Sequence, residues 1–364
     1  MAHETLHFSR AAVDRSGRTL LDDTSTPSAT DAAWEALANW RALHAFPLNT
    51  ITMDLRQKVK RVRPGANVVQ RLKRARSILA KLQKESSMRL TQMQDIGGCR
   101  AVVETIDEVY ALREQYRRSK SLHELVTEDD YIANPKPSGY RSLHLVYRFQ
   151  SRGHTQYNRL MFEVQLRTAT QHAWATAVET VGAVIGQALK SSEGESAWLV
   201  YFQNAALALE YTEAKVAGTQ QPVSRGVVAR TLRELGKHLE VHKKLSAYRV
   251  ALNATAAREV KDAAYFLLVL LPDQNELQVR AFSKKQSEEA YREYERFERR
   301  LPLHPPGKQL LLFPELADFS GAQAVLVGAD SLKSIRESYP NYYLDTQVFL
   351  EKIEKFVRRY QRAA

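Results

Sequence analysis

Two carboxylates, Asp95 and Glu163, stand out from the acidic residues of this chain because of their neighbours. Asp95 comes just before Ile-Gly-Gly-Cys-Arg100, at the entry to an apolar strand, where a carboxylate beside small residues can ligate magnesium. Glu163 opens Glu163-Val-Gln165-Leu-Arg167. Strand alternation puts these three polar side chains on one face and Val164 and Leu166 in the core. Glu163 can bind a metal or act as a general base, Gln165 can orient, and Arg167 can neutralise phosphate. A third stretch is Arg71-Leu-Lys73-Arg-Ala-Arg-Ser77-Ile-Leu-Ala-Lys81. As a helix, it would align Lys73, Ser77 and Lys81 in one stripe. Their mutual repulsion would be relieved by a triphosphate accepting hydrogen bonds from all three. The fourth stretch runs from Asp129-Asp130 through Pro135-Lys136-Pro137-Ser138-Gly139-Tyr140 to His144. Its prolines and glycine shape a loop that presents Lys136, Tyr140 and His144. The Tyr140 ring offers a flat surface to a nucleobase. Each stretch alone also fits an ordinary structural role: a solvated basic face, a capping aspartate, a tyrosine packed inward, the outer side of a sheet. Their order and spacing together are what carry chemistry.

The elements that must position these residues are legible in outline. Periodicity predicts a helix around 8–20, a second capped by Thr30 or Asp31 and running to about Leu43, and a third from Asn49 to Arg61 after an interruption at Pro47. Pro64-Gly65 stops the third. A helix over Val68–Gln83, a strand CRAVVET and a helix over 107–118 follow. SLHLVYRF and MFEVQLR read as an antiparallel hairpin. Helices are then predicted from 168 to 189, over 195–217 and over 226–258. AAYFLLVLL and ELQVRAF form a second hairpin, followed by a charged helix, a Pro-rich link, a strand AQAVLVG and a last helix over Thr346–Arg362. The boundary falls near 258–262. This divides the chain into a domain of residues 1–258 and a smaller α/β appendage of residues 259–364.

At 364 residues the chain is long enough for two domains. Its single cysteine, Cys99, excludes an intramolecular disulfide framework and reads as a small buried residue. The formal charge of +12 suggests a polyanionic partner, and the basic run Lys58–Arg63 agrees with RNA. No apolar run can span a bilayer and no signal pattern opens the chain, which places the protein in the cytoplasm with no membrane partner.

With RxKxxxSIxxK, QDIGGCR, DYIANPKPSGYRSLH and EVQLRT in this order, residues 45–190 resemble the synthetase domain of the RelA/SpoT-homologue alarmone enzymes. The resemblance implies an α/β (α+β) fold, with a nucleotidyltransferase-like mixed sheet flanked by helices. It also implies transfer of the β,γ-pyrophosphate of ATP to a ribose 3′ hydroxyl with Mg²⁺. Arg71 and Arg100 would then sandwich adenine, and Lys73, Ser77 and Lys81 would hold phosphates. Asp95 and Glu163 would coordinate the metal, Glu163 would deprotonate the attacking hydroxyl, and Tyr140 would stack the acceptor base beside Lys136 and His144. Ser138 departs from the Asn of many guanosine-nucleotide-accepting members. Asp129-Asp130 departs from the basic residue that bifunctional members carry before the Asp. No hydrolase domain is recognisable upstream, so the chain is expected to make a product it cannot degrade. Tyr339-Pro-Asn-Tyr342 resembles the YxxY of the fused toxin–antitoxin branch known as CapRel, whose pseudo-zinc-finger domain blocks the adenine pocket. The appendage lacks cysteine and clustered histidine, the usual zinc ligands. That branch implies a tRNA 3′ CCA end as acceptor and a phage capsid protein as the releasing partner. The alternative acceptor is GDP or GTP.

Overall fold

A computed structural model describes residues 5–185, 196–213, 223–242, 245, 263–271, 276–283, 286–300, 323–328 and 346–360. The chain begins with α1 (Arg10–Thr19), α2 (Pro27–Leu43) and α3 (Ala45–Val62). A five-stranded mixed sheet follows, built from β1 (Asn67–Leu72), β2 (Gly97–Val103), β3 (Glu124–Asp130), β4 (Leu143–Arg148) and β5 (Met161–Thr168) in the order β1-β2-β5-β4-β3. β2 and β5 run parallel at its centre, and the other pairs are antiparallel. α4 (Ala75–Lys84) and α5 (Ile106–Arg117) complete this unit, and α6 (Ala169–Ile185) leaves directly from β5. Cys99, Ala101, Leu143, Leu145, Val164 and Leu166 point from one sheet face into the core under the early helices. Strand alternation therefore turns Arg100, His144, Glu163 and Gln165 to the opposite face. Burial pushes the Cys99 thiol up to about 12, so it stays a packed, protonated side chain.

Several predicted elements differ. The helix expected over Val68–Gln83 is β1 followed by α4, because residues 67–72 pair edge to edge with β2 from Asn67↔Val102 to Leu72↔Gly97. Long-range pairing overrides local periodicity there. Pro47 does not interrupt a helix. It sits in the first turn of α3, where a missing N–H leaves no intrahelical bond unmade. The cap of α2 is Thr26, whose hydroxyl accepts from Ala29 N–H, rather than Thr30 or Asp31. β3 had no counterpart in the sequence reading; it pairs with β4 through Asp129↔His144. Of the helix expected over 226–258, α8 (Arg225–His238) is described, with a kink at Glu240 (φ 50°) before helical residues 241, 242 and 245; residues 246–258 lie outside the described residues.

A second sheet, β7-β6-β8, is formed by β6 (Ala263–Leu271), β7 (Glu276–Ser283) and β8 (Gln323–Gly328), with α9 (Ser287–Arg300) against it. The final helix, α10 (Thr346–Tyr360), does not stay with that sheet. It packs on α6, α7 (Ser196–Glu213) and α8, with Phe349 beside Phe202 and Phe356 stacked on Tyr211. Its apolar stripe of Phe349, Leu350, Ile353 and Phe356 belongs to the second core of the first domain. The boundary placed at 259–364 is therefore corrected. The small sheet is an insertion between α8 and α10, both of which are anchored in the first domain. Among the described residues, no helix is long and apolar enough to cross a membrane.

Two measurements check this packing. Phe349 is fully buried, so Phe349→Ala is expected to cost about 3–5 kcal/mol. The loss should be read by urea denaturation followed at the tryptophans near α6 and α7; an unchanged midpoint would detach α10 from the core. His44 is also buried, and burial lowers its pKa from 6.5 to about 4 despite its bond to the Trp40 carbonyl. The unfolded chain protonates near 6.5 and the folded one only near 4. Stability is thus complete above pH 6.5 and declines on acidification toward 4, by on the order of 3 kcal/mol for this group. Urea midpoints at pH 7 and pH 4.5 should show this slope, and His44→Phe should flatten it.

Candidate active site

Two rows of side chains cross the polar face of the sheet. Cross-strand register sets Arg71, Gly98, Glu163 and Val146 side by side, and next to them Val69, Arg100, Gln165, His144 and Asp129. Gly98 leaves a gap between Arg71 and Glu163. At one end of the rows, the chain turns from β1 into α4. Lys73 N–H donates to the Ile96 carbonyl across this corner, which brings Lys73 beside Asp95. Lys73 Nζ reaches Asp95 Oδ2 at 2.7 Å and Lys81 Nζ reaches Oδ1 at 3.2 Å. Ser77 and Lys81 share one face of α4 as expected, but Lys73 joins them from the strand end rather than from a continuous helix. Burial opposes the charge on Asp95, yet Lys73 and Lys81 hold its carboxyl below the usual range; Glu163 is near enough to push it the other way. Burial lowers the Lys73 ammonium against the pull of Asp95. Asp95 thus lies between Lys73 and Lys81, and Glu163 is close enough to interact with both Asp95 and Lys73.

Around Glu163 lies a closed ring of hydrogen bonds. His144 Nδ1 meets Glu163 Oε1 at 2.8 Å, and His144 Nε2 meets Tyr140 Oη at 2.8 Å. Arg167 donates to Tyr140 Oη at 2.9 Å and to Gln165 Oε1 at 2.6 Å, and the Gln165 amide donates back to Glu163. Burial works against the Glu163 charge, but His144 and Gln165 outweigh it and hold the carboxyl well below its ordinary range. It is ionised and able to accept a proton or a cation. Arg100 is buried and bonded to Gln165 and His172, while Arg71 is exposed on the neighbouring strand. Burial and the nearby Arg167 and Arg71 lower the Arg100 pKa well below its ordinary value. The two arginines predicted to flank adenine thus share a sheet face.

The loop preceding β4 differs from the expectation in one respect. Tyr140 is only 7% exposed, engaged edge-on with His144 and near Trp174, so its ring is not presented to a base in this conformation. Gly139 explains the placement. Its φ is 89°, and a Cβ there would lie 2.6 Å from the Ala206 side chain, so the loop rests directly on α7. Gln203 donates to the Pro137 carbonyl and Arg141 pairs with Glu210, fixing the loop from the same helix. Lys136 lies 4.3 Å above the Tyr131 ring and 5.5 Å from that of Tyr140. Tyr131, edge-on to His144, is the partly exposed aromatic at this end of the pocket, and the sequence reading missed it. Its backbone N–H donates to the Ser142 carbonyl, a contact that residue spacing does not reveal. The basic run also needs correction. Lys58 is buried on Asp54 and the Tyr116 ring, and Arg63 pairs with Glu104 and Glu108, leaving Lys60 and Arg61 exposed. Tyr339 and Tyr342 lie outside the described residues. The inserted domain reaches this region through another residue, Tyr294 of α9, which contacts Arg41. Tyr294 stands three residues after Tyr291, a second Tyr-x-x-Tyr spacing.

The mixed sheet flanked by helices, with basic and acidic side chains gathered on its polar face, makes this an α/β protein. Residues 70–181 match the model of the region found in RelA / SpoT proteins. GTP pyrophosphokinase YjbM of Bacillus subtilis is 31% identical over 36% of this chain and 67% of its own length. GTP pyrophosphokinase YwaC of the same organism is 30% identical over 31% of this chain and 56% of its own. The crystal structure of small alarmone synthetase 1 from Bacillus subtilis, bound to its product pppGpp, shows 26% identity over 48% of this chain and 92% of that one, with a TM-score of 0.40. The chain belongs to the RelA/SpoT-homologue family.

The gap at Gly98 can be tested without disturbing the fold, since the nearest atom to a Cβ there is the Glu163 carbonyl oxygen at an ordinary 3.5 Å. Gly98→Val should leave the urea midpoint unchanged or raised. It should weaken binding of a fluorescent ATP analogue on the order of tenfold or more, by filling the space between Arg71 and Glu163. Unchanged nucleotide binding would show that this gap is not the phosphate path.

Proposed function

We propose that this chain is an ATP-dependent pyrophosphokinase: a ribose 3′ hydroxyl attacks the β-phosphorus of ATP, the α–β bridge breaks, and AMP leaves as the β,γ-pyrophosphate is transferred. The observation that carries the reading is the clustering of Asp95 with Lys73 and Lys81, with Glu163 near Asp95 and Lys73. The two carboxylates offer hard oxygen donors, a set that suits Mg²⁺ completing its shell with water and phosphate oxygens. Bound there, the ion would neutralise the transferring phosphates. In this chain, Lys73 and Lys81 exchange Asp95 for phosphate oxygens, and Ser77 adds a hydroxyl. Arg71 and Arg100 flank the adenine. Glu163, ionised and oriented by His144 and Gln165, accepts the proton of the attacking hydroxyl. Proton transfer follows bond formation, since the hydroxyl becomes acidic only as it gains the phosphoryl group.

The acceptor we propose is the 3′-terminal adenosine of tRNA, whose modification would block translation, with Lys136, Tyr140, His144, Gln165 and Arg167 forming the acceptor side. The +12 charge and the resemblance to the fused toxin–antitoxin branch support this reading. The inserted domain touches the ATP side at Tyr294, and we propose that it restrains the site until a phage capsid protein binds. A specific observation favours a second acceptor, GDP or GTP: the curated relatives carry the name GTP pyrophosphokinase.

Incubation with ATP labelled in the γ-phosphate, together with deacylated tRNA, GDP and GTP, separates the acceptors by where the label lands. The tRNA 3′ end is expected, with turnover rising when residues 263–328 are replaced by a flexible joint that retains α10. Glu163→Gln should lower kcat by about a hundredfold or more. Label on the guanosine nucleotide alone would assign the second acceptor. No transfer to any of them, under any of these conditions, would refute the pyrophosphokinase reading.

A further inference from the structure

Arg41 lies in the last turn of α2, outside every stretch singled out for chemistry, and is only 9% exposed. A buried guanidinium keeps its charge and must find acceptors. Arg41 Nε donates to the backbone carbonyl of Lys73 at 3.0 Å. One terminal nitrogen donates to Tyr294 Oη at 2.8 Å, and the guanidinium carbon sits 5.5 Å from the Tyr294 ring centroid. Lys73 has left β1 and has not yet entered α4, so neither ladder holds its carbonyl. Its N–H is already fixed on the carbonyl of Ile96, the residue after Asp95. The Lys73 peptide is thus pinned from both sides: by the Asp95 corner through its N–H and by Arg41 through its carbonyl.

We infer that Arg41 is a positioning residue that aims the Lys73 ammonium at the phosphate site, and that Tyr294 couples this aim to the inserted domain. The inference rests on the pyrophosphokinase reading for the meaning of the site, although the contact itself does not. With Arg41 in place, the β1–α4 corner has one backbone position, and Lys73 reaches Asp95, or a phosphate replacing it, without searching. The planar fork of arginine serves both acceptors at once, which lysine cannot do from one ammonium with the same rigidity. Any movement of α9 must then pull on, or release, the group that holds Lys73.

Acetic anhydride pulse labelling of the full-length protein, read by peptide mass spectrometry, tests the contact directly. Lys73 is partly shielded and paired, and exposed Lys60 serves as the internal reference. Arg41→Met is expected to raise Lys73 labelling relative to Lys60 by about fivefold, and Tyr294→Phe by a smaller factor in the same direction. In the transfer assay, Arg41→Met should raise KM for ATP about tenfold while kcat and the KM of the acceptor change far less, a split that general loss of folded protein would not produce. Should Arg41→Met fail to melt cooperatively, Arg41→Lys replaces it, with the same expectations. Unchanged Lys73 labelling in a folded Arg41 variant overturns the inference. Wild-type labelling in Tyr294→Phe alone overturns the coupling to α9. Labelling needs no turnover, so an inactive wild-type chain would sink the pyrophosphokinase reading and still leave this contact decided.

Discussion

Lys73 and Asp95 sit face to face at 2.7 Å in a mostly dehydrated corner, and much of the pocket follows from that pair. Burying either charge alone would be costly, and each offsets the other's desolvation. Under the proposed function, a metal ion and a polyphosphate would take over both halves of the pair at once. Lys81 closes on the same carboxylate from α4, so the strand-to-helix turn, and not a helix alone, becomes the cationic cradle.

Glu163 is stabilised in a different way. It belongs to a closed circuit with His144, Tyr140, Arg167 and Gln165, in which nearly every polar group has a partner. A circuit of this kind orients a base and keeps it ionised, since protonating Glu163 would break two bonds to its charged form. The circuit also reaches from β5 to the loop before β4 through Tyr140. The position of the loop and the state of the carboxylate are therefore mechanically joined. The loop is in turn seated on α7, where Gly139 permits a contact that no other residue type could make.

The placement of α10 changes how the second domain must be viewed. It is flanked by α8 and α10, which pack on α7, the helix under the loop before β4, and it contacts Arg41 through Tyr294. Membership in the RelA/SpoT-homologue family accounts for the mixed sheet and its polar face. Removing everything beyond the boundary read from composition would also strip Phe349 and Phe356 from the first domain's own core.

Much of the site was legible in residue order. Alternation in Glu163-Val-Gln165-Leu-Arg167 assigns the polar face of β5 correctly, because strand geometry allows only two faces. The ordered motifs identify the family for the same reason: the chemistry needs these residue types at these separations. The stretch 67–72 was misread because its valines and basic residues satisfy a helical period, and only the edge of β2 selects the extended form. The Tyr140 ring was read as open because nothing local says that α7 lies against Gly139. Arg41 and Tyr294, 253 positions apart, carried no signal in the chain. Local spacing determined which groups can do chemistry and which face of a strand they share. Only tertiary packing decided which ones meet, because burial, long-range pairing and the return of the final helix are set by the whole fold's competition for contact, not by any segment alone.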